Sequence, residues 1–299
     1  MNRIVELLDK EGPLTGKELR NKTVLDELSL WRICSKSEKI ILKTFGKRFL
    51  RLDMRVEGYA RLSPSIKREF LTYTVAGLEK DFQKIEAKVK SLYNEIKNIS
   101  KQKFELARDT VKKIVECQKE PEIITNGACF IIAGDIVYEM AHSELRPEES
   151  TGELVRGSDL DIVVVTENLS EESKKDLDSS IYQEKYYLIK NPCYREELDY
   201  IIKDIGKVQT QLNFDTFKSM VASKILYEGK FLYGNRKIFE KVKKMLSKRK
   251  IQEKLLALGG KAIANRENAK SYLLSNTYIL PEEECMKLFY TKQEREEIF

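Results

Sequence analysis

The sequence predicts an α+β fold with four parts, and three observations predict it. Short amphipathic segments followed by two strand-like runs fill residues 1–62. An apolar repeat at helical spacing crosses residues 63–120. Strand-like apolar runs then alternate with polar segments over residues 121–246, which predicts a small mixed sheet. Residues 247–299 return to a helical pattern and form the predicted C-terminal tail.

Composition excludes several classes of protein. The chain has 299 residues, 41% of them hydrophobic, but no apolar run long enough to cross a bilayer. Its first ten residues mix acids with apolar residues, unlike a secretory signal, so we expect a cytoplasmic protein with no membrane partner. The five cysteines are widely spaced and the single histidine is His142, so any acid–base or metal chemistry must use carboxylates.

The net charge of +6 is unevenly distributed. Residues 1–68 hold 16 Lys and Arg against 9 Asp and Glu, and this excess of seven accounts for the whole net charge. Such asymmetry indicates either a polyanionic partner for this end of the chain or a solubilising surface.

The sequence of residues 1–62 predicts three short helices in succession. The first ends at Gly12-Pro13, and Thr15 with Glu18 has the spacing of a capping box for the second. Asp26 is the predicted cap of the third helix.

Two strand-like runs follow, residues 40–45 and 48–52, and Gly46-Lys47 between them predicts a basic hairpin. Three helices and a basic hairpin are the order of a winged helix, whose third helix enters the major groove and whose wing touches phosphate. A protein–protein module is the alternative. The cations expected to contact nucleic acid are Arg32, Lys36, Lys39, Lys47 and Arg48.

A continuous helical pattern is predicted from residue 65 to about residue 116. Its apolar residues step alternately by four and three, as in a coiled-coil seam: Leu78, Phe82, Ile85, Val89, Leu92, Ile96 and Ile99. A seam of this kind must be covered. The pattern predicts either a homodimer through residues 78–99 or packing against the chain's own C-terminal helices.

The α/β part begins after Glu120-Pro121. Four strands are predicted, at residues 128–133, 160–165, 187–189 and 198–202. Residues 214–250 are predicted to be helical, and the tail is broken near Gly259-Gly260 and Pro281.

Asp159 and Asp161 stand two residues apart at the head of an apolar strand. Residues at this spacing in a strand point to the same face, so two carboxylates would lie close together. Their repulsion is tolerable if a divalent cation lies between them, and carboxylate oxygens suit Mg²⁺ or Mn²⁺. An ordinary strand entered through a polar turn is the alternative.

The segment Gly157-Ser158-Asp159-Leu160-Asp161-Ile162-Val163-Val164-Val165 resembles the signature of polymerase-β-type nucleotidyltransferases. Residues 222–234 resemble the helix and turn that close minimal domains of this superfamily, and Asp199 matches the third carboxylate on a later strand. The resemblance covers about residues 122–240. It implies a small mixed-sheet nucleotidyltransferase domain.

The resemblance also implies roles for these residues. Asp159, Asp161 and Asp199 would bind Mg²⁺ or Mn²⁺, and Asp199 would also draw the proton from the nucleophile. The NTP would be contacted by residues of the glycine turn, the motif and the following helix: Gly134, Ser158, Lys224 and Lys218. The activity implied is transfer of NMP from an NTP, such as ATP, to a hydroxyl of nucleic acid or protein, a small-molecule acceptor being less favoured.

Two features depart from the family's pattern. The phosphate-binding turn reads Ala133-Gly134-Asp135, with an aspartate where the family has serine or glycine, and residues 136–156 are longer than usual. They indicate either a divergent enzyme with an inserted loop or a lost phosphate-binding turn, and Asp135 favours an alternative function. The chain would then be a DNA-binding transcriptional regulator whose nucleotidyltransferase-like domain is not catalytic.

Overall fold

The computed structural model describes residues 2–276 and 278–295. Its architecture is mixed α+β, with small sheets and one helix of 35 residues, which confirms the predicted class. The chain divides into two compact units: unit 1 comprises Met1–Lys97 and Leu258–Phe299, and unit 2 comprises Asn98–Ala257. Among the helices that the structure describes, none is long and apolar enough to cross a membrane.

The regular elements follow one another with short connections. Up to residue 116 they are α1 (Asn2–Glu11), β1 (Leu14–Thr15), α2 (Gly16–Asn21), α3 (Glu27–Lys36), β2 (Ile40–Thr44), β3 (Phe49–Leu52), β4 (Ala60–Ser63), α4 (Ile66–Tyr73), β5 (Thr74–Leu78) and α5 (Phe82–Glu116). Beyond it they are α6 (Pro121–Gly127), β6 (Ala128–Ile132), β7 (Leu145–Pro147), β8 (Leu154–Arg156), β9 (Leu160–Thr166), α7 (Glu171–Lys190), β10 (Leu198–Asp204), α8 (Ile205–Gln211), α9 (Phe217–Glu228), β11 (Lys230–Gly234), α10 (Arg236–Lys248), α11 (Ile251–Ser275) and α12 (Glu282–Leu288). Short 3₁₀ turns lie at Glu57–Tyr59, Glu79–Asp81, Gly134–Tyr138 and Gln293–Arg295.

The helix starts predicted in unit 1 are confirmed. The amide of Glu18 donates to the Thr15 hydroxyl over 3.1 Å, and the amide of Thr15 donates to the Glu18 carboxylate over 2.6 Å, which completes the capping box of α2. Asp26 accepts from the Ser29 amide over 2.9 Å and caps α3. Each cap satisfies backbone donors that a helix leaves unpaired at its first turn.

The predicted hairpin between residues 40–45 and 48–52 is wrong, although both strands form. A three-stranded antiparallel sheet has the order β1-β5-β2, and β3 pairs separately with β4. The two runs do not pair because β2 already has a partner farther along the chain. The amide of Phe45 extends this pairing by donating to the Tyr73 carbonyl over 2.9 Å.

The continuous helix predicted over residues 65–116 is wrong in its first part. α4 ends at Tyr73, and the next five residues form β5, the central strand of the three-stranded sheet. Thr74 and Val75 are β-branched, and a strand with partners on both sides satisfies its backbone groups as fully as a helix would. The helical pattern resumes at Phe82 and is confirmed from there to Glu116.

The apolar seam is therefore shorter than predicted. Leu78 belongs to β5, and Phe82 is 48% exposed on the first turn of α5. Ile85 is fully buried beside Gly77 of β5, where a Cβ on the glycine would lie 2.7 Å from the isoleucine side chain. This part of the seam is covered by the chain's own strand, and the homodimer through residues 78–99 stays a prediction.

Unit 2 is built on a four-stranded sheet of order β10-β9-β6-β11. β9 runs parallel to β10 and antiparallel to β6, and β11 runs antiparallel to β6. The strands predicted at residues 128–133, 160–165 and 198–202 are confirmed as β6, β9 and β10. β6 is buried along its whole length and β9 almost so, which explains why both read as unbroken apolar runs.

Two further predictions in unit 2 are wrong. Residues 187–189 are not a strand but the end of α7, where Leu177, Ile181 and Leu188 are buried at helical spacing. The helix predicted over residues 214–250 is interrupted by β11, which pairs with β6 at the edge of the sheet. A short apolar run carries no periodicity that separates a strand from a helix end. In the tail, the break predicted near Gly259-Gly260 is also wrong, because α11 continues through both glycines.

Candidate functional site

The candidate site lies where β9 and β10 begin. The two strands are paired in parallel register, and Asp161 stands directly opposite Asp199. Paired residues on neighbouring strands point to the same face of a sheet, so the two carboxylates are neighbours. The backbone amide of Ala133, just after β6, donates to the Asp161 carbonyl over 3.0 Å and fixes the turn after β6 beside them.

The Asp161 carboxyl group is held in an unfavourable environment for charge. Burial, and then the nearby carboxylates of Asp135, Asp199 and Glu228, raise its pKa from 3.8 to about 7, while Lys224 acts in the opposite direction. Loss of hydration and like charges both penalise the ionised form. The group of carboxylates around Asp161 is therefore a place where a cation would be stabilised.

Gly134 is required by the close approach of this carboxylate. Its φ of +73° lies in the left-handed region, and a Cβ at this position would lie 2.1 Å from Oδ2 of Asp161. The amide of Gly134 faces the Glu228 carboxylate, with a donor–acceptor distance of 3.4 Å. The glycine that the sequence predicts in the phosphate-binding turn thus packs directly on the predicted metal ligand.

Asp135, the residue that departs from the family's pattern in the turn, is hydrogen-bonded to Ser158. The Ser158 hydroxyl donates to Oδ2 of Asp135 over 3.1 Å and accepts from the His142 amide over 3.2 Å. Ser158 is buried, so its hydroxyl faces the turn rather than solvent. The predicted nucleotide contact of Ser158 therefore competes with its bond to the aspartate that departs from the family's pattern.

Asp159 has a different environment from Asp161. Its carboxylate contacts the guanidinium of Arg146, which also contacts Glu197 over 2.7 Å. All three side chains are at least 85% buried. The structure thus brings Asp161 and Asp199 together, whereas it pairs Asp159 with a buried arginine.

The remaining predicted site residues lie on flanking helices. The Asp199 carboxylate is 50% exposed and accepts from Nζ of Lys185 over 2.8 Å. Lys224 forms an ion pair with Glu228 one turn later on α9. Lys218 is exposed on the first turn of the same helix.

Sequence reasoning missed the partners of the carboxylates. They are Arg146, Lys185, Glu197 and Glu228. Two of them leave a signal in the sequence: Glu197 precedes Asp199 by two residues, and Glu228 follows Lys224 by four. Arg146 and Lys185 have no such signal because they approach from elements far away in the sequence.

In unit 1, the cations predicted to contact nucleic acid fall into two groups. Arg32 donates to the Leu273 carbonyl over 2.8 Å, and Arg48 forms a bidentate pair with Glu69. The other three are exposed, two near the end of α3 and one after β2: Lys36, Lys39 and Lys47.

Within residues 2–276 and 278–295, no group of three or more Asp, Glu, His or Cys side chains is arranged to hold a metal ion. No protein-family model, no curated protein and no solved structure matches the chain.

Proposed function

We propose that unit 2 is a divalent-metal-dependent nucleotidyltransferase of polymerase-β type, which transfers NMP from an NTP to an acceptor hydroxyl. The observation that carries the proposal is the parallel register that pairs Asp161 with Asp199 beside the Gly134 turn. The turn follows β6, one carboxylate is on β9 and the other on β10, in the order that the polymerase-β resemblance implies.

The donor set fits a divalent cation. Asp161 and Asp199 offer hard oxygen ligands, and the like charges around Asp161 raise the free energy of its ionised form. Mg²⁺ is commonly bound through one or two carboxylates, with substrate phosphates completing its coordination, so two protein ligands are sufficient for such a site. When bound, the ion would neutralise triphosphate oxygens and the charge that develops on the leaving pyrophosphate.

The chain's own residues would position and deprotonate the acceptor. In the reaction, the acceptor oxygen forms a bond to the α-phosphorus, the bond to pyrophosphate breaks, and the hydroxyl proton leaves. Asp199 is suited to accept this proton because its half-exposed carboxylate can be reached by a substrate. Lys224 is the candidate cation for the triphosphate, and its pair with Glu228 must open for that contact.

Label transfer from α-phosphate-labelled NTPs tests the proposal. Wild type is incubated with each NTP, Mn²⁺ or Mg²⁺, and nucleic acid or cell extract as the acceptor. Asp199→Asn should lower transfer by about 100-fold or more, the usual contribution of an acid–base group. Asp109→Asn, which removes a carboxylate 69% exposed on α5, is the control and should leave transfer unchanged. Absence of transfer with every NTP and acceptor would contradict the proposal.

Unit 1 is proposed to bind nucleic acid. The succession of three helices and the pairing of β2 with β5 support a winged helix in which residues 45–73 are inserted in the wing. Lys36, the last residue of α3, and Lys39, three residues beyond it, are exposed and would contact phosphates.

Fluorescence anisotropy with a DNA duplex at several salt concentrations tests this part. The variant Lys36→Glu/Lys39→Glu should bind more weakly, and its log–log salt slope should fall by about 2 because two phosphate contacts are lost. The variant Lys84→Glu/Lys90→Glu on α5 has the same net charge and serves as the control. Equal affinities for the two variants would exclude a specific role of Lys36 and Lys39.

A second candidate function is a DNA-binding regulator whose unit 2 is not catalytic. Two observations favour it: Asp159 is paired with Arg146, and Asp135 occupies the turn where phosphate would bind. The regulator predicts salt-dependent DNA binding without NMP transfer, so the two assays together separate the candidates.

A further inference from the structure

Arg146 is a cation fixed among the carboxylates at the start of the sheet. It belongs to β7, which pairs with β8 in a two-stranded ladder between the Gly134 turn and β9. The residue is only 6% exposed. A guanidinium that is removed from water must be compensated by anions or hydrogen bonds, so its partners explain its position.

Those partners are Asp159, Glu197 and the carbonyl oxygen of Gly157. Nη2 contacts both carboxylates, at 2.7 Å from Oε2 of Glu197, and Nε donates to the carbonyl over 3.3 Å. Asp159 and Glu197 each directly precede the first residue of a strand, β9 and β10 respectively. The amide of Leu160 donates to the Glu197 carbonyl over 2.8 Å, so the two strands are already paired at this level.

The two strands therefore carry two successive pairs of carboxylates. One pair is Asp159 and Glu197, and the other, two residues farther along, is Asp161 and Asp199. A buried guanidinium bridges the first pair. The second pair is bounded by lysines at its edges: Lys185 pairs with Asp199, and Lys224, which pairs with Glu228, lies near Asp161.

We propose that Arg146 stands in place of one of the two divalent cations of a two-metal site, so that the chain binds a single ion at Asp161 and Asp199. This inference rests on the proposed function of unit 2. A guanidinium is always positively charged, so it compensates neighbouring carboxylates, and it cannot dissociate from the chain.

Counting bound Mn²⁺ on the full chain tests the inference. Free Mn²⁺ is measured by electron paramagnetic resonance during titration of wild type, Arg146→Ala, Arg146→Gln and Arg146→Lys. We expect one ion per chain in wild type and in Arg146→Lys, which keeps the positive charge. Two ions are expected in Arg146→Ala and Arg146→Gln, because Asp159 and Glu197 then lack their cation. Arg156→Gln removes an exposed arginine from the neighbouring strand β8 and should bind one ion.

Far-UV circular dichroism identifies which variants are folded before they are counted. Arg146→Gln keeps most of the side-chain volume and a donor for the Gly157 carbonyl, so it carries the test if Arg146→Ala does not fold. Two ions in wild type, or one ion in every folded variant, would overturn the inference and leave the proposed function standing. No bound ion in any form of the protein would instead overturn the metal site of the proposed function.

Discussion

Replacing Asp161 with asparagine should stabilise unit 2 at neutral pH in the absence of metal ions. The carboxyl group is buried and lies near Asp135 and Asp199, which together raise its pKa from 3.8 to about 7. Asparagine has nearly the same shape and carries no charge. The substitution therefore removes the electrostatic penalty and leaves the packing around the side chain almost unchanged.

The size and sign of the effect follow from proton linkage. Between pH 3.8 and about 7, the folded chain binds a proton at Asp161 that the unfolded chain has lost. The stability from this group is present in full below the unfolded pKa and is lost as the pH rises through the folded pKa. At 1.36 kcal/mol per pH unit, the loss amounts to about 4 kcal/mol. The variant lacks this loss. The free energy of unfolding of the variant should therefore exceed that of wild type by an amount that grows from about pH 4 and reaches about 4 kcal/mol by about pH 8.

Urea denaturation in EDTA, followed by far-UV circular dichroism, measures this difference. The single tryptophan, Trp31, belongs to unit 1, so its fluorescence follows the unfolding of unit 1 separately. The companion variant Asp159→Asn should show the opposite sign, because it removes one of the two buried carboxylates that compensate Arg146. Asp159→Asn should lower the free energy of unfolding by an amount on the order of 1–3 kcal/mol. A difference between Asp161→Asn and wild type that does not change with pH would refute the reasoning.

Two further predictions concern the turn of unit 2 and the core of unit 1. Gly134→Ala should destabilise unit 2 by more than about 2 kcal/mol, because it adds a clash with Asp161 to the strain of a left-handed backbone. Gly152→Ala, at φ +70° with open space around it, should cost only about 1 kcal/mol in the same urea titration, and equal costs would contradict the proposed clash. In unit 1, burial raises the pKa of Glu294, but Arg68 and other arginines outweigh burial and hold it below its usual value of 4.5. The stability from this group is present above pH 4.5 and is lost as the pH falls through the folded pKa. Glu294→Gln removes the buried carboxylate that pairs with Arg68 over 3.0 Å. At neutral pH it should therefore lower the free energy of unfolding by an amount on the order of 3–5 kcal/mol, and it should flatten the acid dependence of tryptophan fluorescence. An unchanged acid transition would contradict this assignment.

Features that depend on neighbouring residues could be predicted from the sequence. The capping box at Thr15 and Glu18 needs only a hydroxyl and a carboxylate three residues apart. The strands β6 and β9 were predicted because burial on both faces leaves long apolar runs in the sequence. Asp199 was assigned to the site by the family resemblance, and the parallel pairing of β9 with β10 sets it opposite Asp161.

Pairings between distant segments could not be predicted in the same way. β5 lies within a stretch whose composition favours a helix, and it is a strand because β1 and β2 supply partners on both sides. The prediction of a hairpin between residues 40–45 and 48–52 was wrong for the same reason, because β2 pairs with β5 rather than with the strand that follows it. Residues 187–189 show the reverse error, because a short apolar run was assigned to a strand although it ends a helix. In all three places the stabilising contacts come from outside the local window.

The environments of the two aspartates in the Asp-x-Asp pattern also could not be predicted from the sequence. In the sequence, Asp159 and Asp161 are equivalent carboxylates that would share one face of a strand. The fold makes them different, because Arg146 compensates one, whereas other carboxylates surround the second. The position of a cation relative to two carboxylates is a long-range property, and alternation along a strand carries no information about it. A motif of this kind therefore predicts where a cation is needed, while the fold decides whether the chain itself or the solvent supplies it.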